Sequence, residues 1–184
     1  MSKRIALLTA AAFGAFALTA GIVAPVTAQE KTVMVGGAAM FPSKNIIQNA
    51  VHSKDHTTLV AAVKAAGLVD TLEGTGPFTV FAPTNAAFGK LPAGTVDTLV
   101  KPENKATLTK ILTYHVVPGR LEASDLSDGK KLKTVEGEEL TVRKADGKVM
   151  IVDAKGGSAT VTIPNVNQSN GVIHVVDTVL MPAS

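Results

Sequence analysis

The chain has 184 residues, a formal net charge of +3 and no cysteine. A chain of this length suits one domain with a single hydrophobic core. The absence of cysteine excludes disulfide bonds and a thiol nucleophile, and the small net charge gives no indication of a nucleic-acid partner.

The first 28 residues are typical of an export signal. Lys3 and Arg4 precede a long apolar run, and small residues follow it up to Ala28. We therefore predict cleavage after Ala28, which lowers the net charge from +3 to +1 because all fifteen acidic residues lie further along the chain. The alternative is an uncleaved membrane anchor, since the run approaches the length of a bilayer span.

The next residues predict a link and two helices. Residues 29–44 are predicted to form an N-terminal extended link, because a short extended segment is followed by Gly36-Gly37-Ala38-Ala39. A first helix is then expected with Ser43 as its cap. A second helix is expected over residues 57–66, with Asp55 as its cap and Gly67 at its end.

The stretch 76–88 joins the helical part of the chain to its strand-forming part. Residues 78–82 are apolar at nearly every position, which predicts a strand that is covered on both faces. Pro83 ends this strand, and Thr84 or Asn85 caps a short helix that contains Phe88. We expect Phe81 to be part of the core.

The remaining residues divide into helices and then strands. A longer helix begins at Pro102 and carries an apolar stripe that reaches His115. From Lys131 onwards the pattern alternates, and we predict strands at residues 132–135, 140–144, 148–153, 159–163 and 172–180. Asp146-Gly147 is the strongest hairpin signal. Helices that precede a series of strands indicate the α+β class.

The histidines are the main candidates for chemistry. His52 and His56 have the spacing of two metal ligands on one helix face, with Asp55 as a possible third, but the segment is more typical of a solvated turn between helices. His174 lies in a strand with apolar residues on both faces, which favours a hydrogen-bonded core residue over a base.

Tyr114 and His115 at the end of the long helix leave two roles open. They can pack and form internal hydrogen bonds, or they can contribute to a binding surface, where tyrosine is common. A hydrolase that uses His115 or His174 with Asp177 is a third reading, although side chains three positions apart on a strand point to opposite faces.

Other catalytic patterns do not occur in the sequence. It contains no nucleophile elbow, no phosphate-binding loop and no dinucleotide fingerprint, so we predict a protein that is not an enzyme and uses no metal or cofactor. Lys130, Lys131 and Lys133 form a small basic cluster, which is either a solvated edge or a contact for an anionic polymer.

Three segments together resemble the fasciclin domain family. Residues 79–88 look like the first fasciclin box, Tyr114-His115 is similar to the central tyrosine–histidine pair, and residues 170–182 look like the second box. Asn85 stands where many relatives have Asp. The resemblance covers residues 45–182 and implies a wedge of two short, mainly antiparallel sheets with N-terminal helices packed along one side.

The resemblance also implies a function in adhesion or matrix contact. Tyr114 and His115 become the candidates for partner binding, whereas the remaining motif residues are expected to be structural: Phe81, Pro83, Thr84, Asn85, Phe88, Asn170, Gly171, His174 and Asp177. We expect a secreted, periplasmic or surface-located monomer without a membrane anchor after cleavage. Its expected partner is a protein or polysaccharide and not a nucleic acid. The alternative is a periplasmic binder of a polysaccharide, lipid or other small molecule.

Overall fold

A computed structural model describes residues 31–183, so the predicted signal at residues 1–28 lies outside the described residues. The helices are α1 (Ile46–Ala50), α2 (Thr57–Ala66), α3 (Val69–Glu73), α4 (Asn85–Gly89), α5 (Thr95–Leu99) and α6 (Lys105–Tyr114). The strands are β1 (Val33–Val35), β2 (Ala38–Met40), β3 (Phe78–Pro83), β4 (Val116–Pro118), β5 (Lys131–Lys133), β6 (Glu139–Ala145), β7 (Lys148–Val152), β8 (Ser158–Gln168) and β9 (Gly171–Val176). Within residues 31–183, no helix has the length and apolar character needed to cross a membrane.

Seven of the strands form one sheet in the order β4-β3-β9-β8-β7-β6-β5. All neighbouring pairs are antiparallel except β3 and β9, which are parallel. The two edges of the sheet approach each other, because the N–H of Val135 donates to the carbonyl of Val116 at 2.8 Å. The mixture of helices and sheets is confirmed, but the expected wedge of two short sheets is corrected to one nearly closed sheet and a separate hairpin.

Strands β1 and β2 form that hairpin within residues 29–44, where the sequence predicts an extended link. Val33 pairs with Met40 and Val35 pairs with Ala38. Val35 and Met40 are buried in the core beneath α1 and α2. Gly36 and Gly37, which connect the two strands, adopt positive φ values of 56° and 76° and so form a tight turn. Burial of one hairpin face supplies the order that the glycine-rich composition did not predict.

The helix caps differ from two of the predictions. Asn45, and not Ser43, caps α1: its side chain accepts from the N–H of Gln48, whose own side chain accepts from the N–H of Asn45. Asp55 does not cap α2, because it lies within a 3₁₀ turn that precedes the helix. The bounds of α2 are confirmed, and Gly67 ends it in the left-handed conformation at φ 73°.

Strand β3 separates two hydrophobic cores. Val80 and Ala82 face the helices and pack in the helix-side core, which also contains Phe88, the buried apolar residues of α1 and α2, and Leu108, Ile111 and Leu112 of α6. Phe81 points the opposite way, into the sheet-side core formed by residues of β4 to β9. Since side chains alternate along a strand, this double burial explains the continuous apolar run and confirms the prediction of a strand covered on both faces, with Pro83 as its last residue.

The C-terminal meander follows the predicted alternation with different ends. Ala145 pairs with Lys148 across a two-residue turn in which Asp146 and Gly147 have φ values of 52° and 73°, as predicted from the Asp-Gly pair. Strand β8 continues to Gln168, beyond its predicted end at residue 163. Irregular pairing around residues 161–166 accommodates the turn-forming residues within the strand. Strand β9 ends at Val176, four residues earlier than predicted.

Candidate functional site

Tyr114 is fully buried at the end of α6. Its hydroxyl accepts a hydrogen bond from the N–H of Ala154 at 2.9 Å and donates to the carbonyl of Glu139 at 3.4 Å. Burial raises the pKa of this hydroxyl, so the group stays neutral and can both donate and accept. Tyr114 therefore joins the long helix to β6 and to the turn that follows β7.

His115 is buried with an exposed fraction of 2%. Its Nδ1 lies 2.8 Å from the carbonyl of Ile111, and its Nε2 accepts from the N–H of Leu180 at 2.9 Å. These partners assign the proton to Nδ1 and require a neutral ring. Burial lowers the pKa of His115 to about 4, which keeps the ring neutral at physiological pH.

Neither of these side chains reaches the surface. The prediction that Tyr114 and His115 contact a partner directly needs an exposed surface, and the structure gives them none. Their polar atoms bind the backbone of the same chain, which is the internal role that the sequence left open. The end position of a helix does not reveal burial, because Glu139, Ala154 and Leu180, which contact these two side chains, lie much further along the chain.

His174 is also a buried structural residue. Its ring stacks on Phe81 with 5.7 Å between centroids, its Nε2 lies 2.7 Å from the carbonyl of Leu121, and its Nδ1 accepts from the N–H of Asn165 at 3.3 Å. Burial lowers its pKa, so the ring is neutral. His174 of the second box thus fixes the loop between β4 and β5 through its contact with the carbonyl of Leu121.

Asp177 does not pair with His174. Its Oδ1 accepts from the N–H of Thr160 at 2.8 Å, and its Oδ2 lies 3.7 Å from Nζ of Lys90 at the surface. A general base needs an imidazole that is oriented by a carboxylate and accessible to substrate. The His174–Asp177 pair does not provide this geometry, because each side chain has other partners.

Asn170 connects three elements of the helix-side core. Its Oδ1 accepts from the N–H of Ile46 at 3.1 Å, and its Nδ2 donates to the carbonyls of Leu72 and Gly74 at 2.7 and 2.9 Å. Its own carbonyl accepts from the N–H of Phe78 at 3.0 Å. The side-chain amide of Asn170 therefore joins α1 to the end of α3, and its backbone carbonyl joins both to the start of β3.

Gly171 allows β9 to approach β3 closely. A Cβ at this position would lie 2.0 Å from the carbonyl oxygen of Phe78, which is closer than any non-bonded contact allows. Glycine is thus required at position 171 because there is no room for a side chain, and not because the backbone forms a turn there. This explains the Asn-Gly pair of the second box without any catalytic role.

The first box provides two different helix contacts. Thr84 caps α4, since its side chain accepts from the N–H of Ala87 at 3.2 Å. Asn85 instead reaches the start of α2: its Oδ1 accepts from the N–H of Thr58 at 3.0 Å, and its Nδ2 donates to the carbonyl of Lys54 at 2.8 Å. Asn85 thereby bonds to the free N-terminal end of α2, which is the capping role that the sequence assigned to Asp55.

The possible metal ligands near α2, which the sequence made less favoured than a turn between helices, do not come together. His52 is exposed, whereas His56 is buried with Nδ1 2.9 Å from Oγ of Ser53. Burial lowers the pKa of His56. In the part of the chain from residue 31 to residue 183, no three His, Asp or Glu side chains are close enough to hold a metal ion.

An apolar cavity of about 40 Å³ lies in the helix-side core between the hairpin, α2 and β3. Its lining includes Val35, Met40, His56 and Val80. An engineered cavity of about 150 Å³ is known to bind benzene. A space of this smaller size does not admit even a single aromatic ring, so the cavity gives no support to an enclosed lipid or small-molecule ligand.

The basic cluster becomes larger in three dimensions. Lys131 and Lys133 are exposed on β5, and strand pairing places exposed Arg143 and Lys148 on the adjacent strands β6 and β7. The sequence indicated only the lysines at positions 130, 131 and 133, because Arg143 and Lys148 lie ten or more residues further along the chain. Strand register is the signal that joins them.

Comparisons with known proteins agree with the two boxes and the fold. The family model of the fasciclin domain matches residues 54–182. The chain belongs to the fasciclin domain family. Protein sll1483 of Synechocystis sp. is 46% identical to it over 181 residues, which cover 98% of this chain and 97% of that protein.

Two further fasciclin proteins are similar to this one. The cell surface glycolipoprotein MPB83 of Mycobacterium bovis is 46% identical over 115 residues, which cover 62% of this chain and 48% of that protein. The structure of a FAS1 domain pair from the insect cell adhesion molecule fasciclin I superposes with a TM-score of 0.68 at 21% identity, covering 77% of this chain and 52% of that one. The superposition shows that the fold is that of a FAS1 domain.

Proposed function

We propose that this fasciclin protein is an exported, non-enzymatic adhesion protein that binds a protein or polysaccharide at the cell surface or in the extracellular matrix. The observation that carries the proposal is kinship with proteins of that kind, since MPB83 is a cell surface glycolipoprotein and fasciclin I is a cell adhesion molecule. The predicted signal at residues 1–28 supports export.

The internal hydrogen bonds argue for a rigid scaffold rather than a catalyst. His115 and His174 use both ring nitrogens to hold backbone groups, and the pKa of each is lowered by burial. Tyr114 and Asn170 are engaged in the same way. Side chains fixed in this manner cannot accept a substrate proton without breaking the fold, so binding is left to the exterior of the domain.

A preformed exterior suits a binding protein. A rigid scaffold loses little conformational freedom when it binds, and its contacts therefore contribute more fully to affinity. We propose that the mature protein acts as a monomer in the periplasm, on the cell surface or outside the cell. Adhesion then follows from the number of copies that a surface presents, because several weak contacts act together.

A retention assay tests the proposal. The mature chain, residues 29–184, is labelled at its N-terminus and incubated with envelope fragments and extracellular matrix from the source cell. We expect saturable retention of the folded chain and none of the same chain after thermal unfolding. Equal, non-saturating retention of the folded and unfolded forms would overturn the proposal.

A further inference from the structure

We propose that the outer face of strands β5, β6 and β7 binds a linear acidic polysaccharide through Lys131, Arg143 and Lys148. The inference rests on the proposed function, because it names the partner class for the same exterior. We use "outer face" for the side of these strands that points away from the sheet-side core.

The strand register places these three cations on one diagonal. Lys131 on β5 pairs with Thr141 on β6, and Arg143 lies two residues beyond Thr141 on the same face. Arg143 in turn pairs with Met150 on β7, and Lys148 lies two residues beyond Met150. The backbone positions of diagonal neighbours of this kind are about 7–8 Å apart, so the three residues form a regular row across three strands.

The burial pattern confirms that the row points outward. Leu132, Leu140, Val142 and Ile151 alternate with the cations and are buried in the sheet-side core. Because side chains alternate along each strand, the intervening positions must face the opposite side. Within residues 31–183, the helices pack on β3, β4 and β9 instead, and Lys131, Arg143 and Lys148 are exposed, so they are accessible to a partner.

The outer face carries a clear excess of positive charge. The outward positions of β5, β6 and β7 include a fourth cation, Lys133, and a single carboxylate, Glu139. Glu139 lies 3.3 Å from Nζ of Lys131, but the side chains are 52% and 69% exposed, respectively. Exposed ion pairs of this kind contribute little and can be exchanged for contacts with an anionic partner.

The other side chains of the outer face favour a polysaccharide. Thr141 pairs with Lys131, and Thr160 on the adjacent strand β8 pairs with Met150, so both hydroxyls can bond to the sugar hydroxyls of a polymer on this face. No outward residue of β5, β6 or β7 is aromatic, so the face lacks the stacking platforms that single-stranded nucleic acids use. Its two larger apolar residues, Met150 and Val152, are half-buried between neighbours and do not project as membrane-inserting side chains do.

A linear polymer with repeated carboxylate or sulfate groups matches a straight row of cations. Each cation then meets one acidic group, and the hydroxyls between them contact the sugar rings. Such contacts depend on screened electrostatics, so we expect affinity to fall as salt rises. A neutral polysaccharide offers no charge to the row and is expected to bind poorly.

The test compares two triple variants of the mature chain. The outer-face variant carries Lys131→Gln, Arg143→Gln and Lys148→Gln. A single Arg143→Gln variant repeats the measurement with minimal disturbance. Binding is measured on immobilised alginate, on dextran as the neutral probe, and on vesicles that contain anionic phospholipid, while circular dichroism and thermal unfolding show that each variant is folded.

The matched control variant carries Lys64→Gln, Lys101→Gln and Lys105→Gln, which are exposed positions among the helices. It loses the same charge as the outer-face variant. We expect wild type and control to bind alginate within about twofold of each other, and the outer-face variant to bind about tenfold more weakly, since three exposed charge contacts are lost.

Three results would overturn the inference. An equal loss in both triple variants would make the binding a matter of net charge alone. Binding to anionic vesicles without binding to alginate would assign the face to a membrane. A wild-type chain that is retained on envelope or matrix material but ignores alginate would remove the acidic polysaccharide and leave the proposed function intact, whereas failure in both assays would remove both.

Discussion

His115 accepts a hydrogen bond from the backbone N–H of Leu180, although 65 residues separate the two positions. The bond joins the end of α6 to the segment that follows β9, and therefore joins the tyrosine–histidine pair to the second fasciclin box. It exists only while Nε2 is unprotonated. This dependence on a neutral ring makes the fold sensitive to acid.

The first prediction is a loss of stability between about pH 6.5 and pH 4. The pKa of His115 is about 4 in the folded chain and near 6.5 in the unfolded chain, so between these values the unfolded state binds more protons. Stability is therefore full above pH 6.5 and decreases as pH falls, by about 3 kcal/mol for this group. Urea unfolding across this range measures the slope.

The control for the pH prediction is His115→Gln. This variant has no titrating ring at the site, so its stability at neutral pH is lower but the slope between pH 6.5 and pH 4 is smaller. His174 and His56 also have lowered pKa values and leave part of the slope in place. A wild-type profile that is flat over this range would contradict the neutral, buried assignment.

The second prediction concerns Asn170. Asn170→Ala removes three side-chain hydrogen bonds and leaves the buried N–H of Ile46 and the carbonyl of Leu72 without their partner. We expect the free energy of unfolding to fall by roughly 2–4 kcal/mol.

The matched control is Asn104→Ala, which loses one exposed bond to the carbonyl of Thr98. We expect its cost to be below about 1 kcal/mol. Chemical denaturation of both variants gives the comparison. Similar costs for Asn170→Ala and Asn104→Ala would refute the role of the Asn170 side chain in joining α1 to the end of α3.

The third prediction concerns the contact of β9 with β3. Gly171→Ala places a methyl group 2.0 Å from the carbonyl oxygen of Phe78, so the parallel pair must separate and the chain is expected to lose its cooperative unfolding transition. Gly89→Ala is the control, because a Cβ there meets nothing within 4 Å. It should leave the midpoint unchanged or raise it. A Gly171→Ala chain with wild-type stability would contradict the close approach.

The fourth prediction concerns the sheet-side core. Phe81 is fully buried and stacks on His174, so Phe81→Ala leaves a cavity and should cost about 3–5 kcal/mol. Its effect on adhesion should follow the folded fraction alone. Thermal unfolding measured beside the retention assay tests both statements, and a stable Phe81→Ala chain would remove Phe81 from the core.

Local sequence patterns predicted the elements that depend on near neighbours. The spacing in residues 57–66 and Gly67 predicted α2, and the Asp-Gly pair predicted the hairpin between β6 and β7. The apolar run of residues 78–82 predicted a strand that is buried on both faces. These features follow from periodicity and turn chemistry, which a single sequence displays.

Features that depend on distant pairing were not predictable in the same way. The near closure of the sheet depends on a hydrogen bond between Val135 and Val116, and the burial of Tyr114 depends on strands that follow it in the chain. The outer-face row joins Lys131 to Arg143 and Lys148 only through strand register. The sequence therefore located the motif residues but left open whether Tyr114 and His115 pack internally or reach a surface, and the structure buries both.

In the proposed function, the motif residues build the fold while the exterior of the domain binds the partner. The most direct measurement is the affinity of Tyr114→Phe for envelope or matrix material, because this variant loses only a buried hydroxyl and its two hydrogen bonds. We expect it to be folded, less stable by about 1–2 kcal/mol, and bound with wild-type affinity. A Tyr114→Phe chain that is folded under the conditions of the assay but no longer binds would contradict this division of roles.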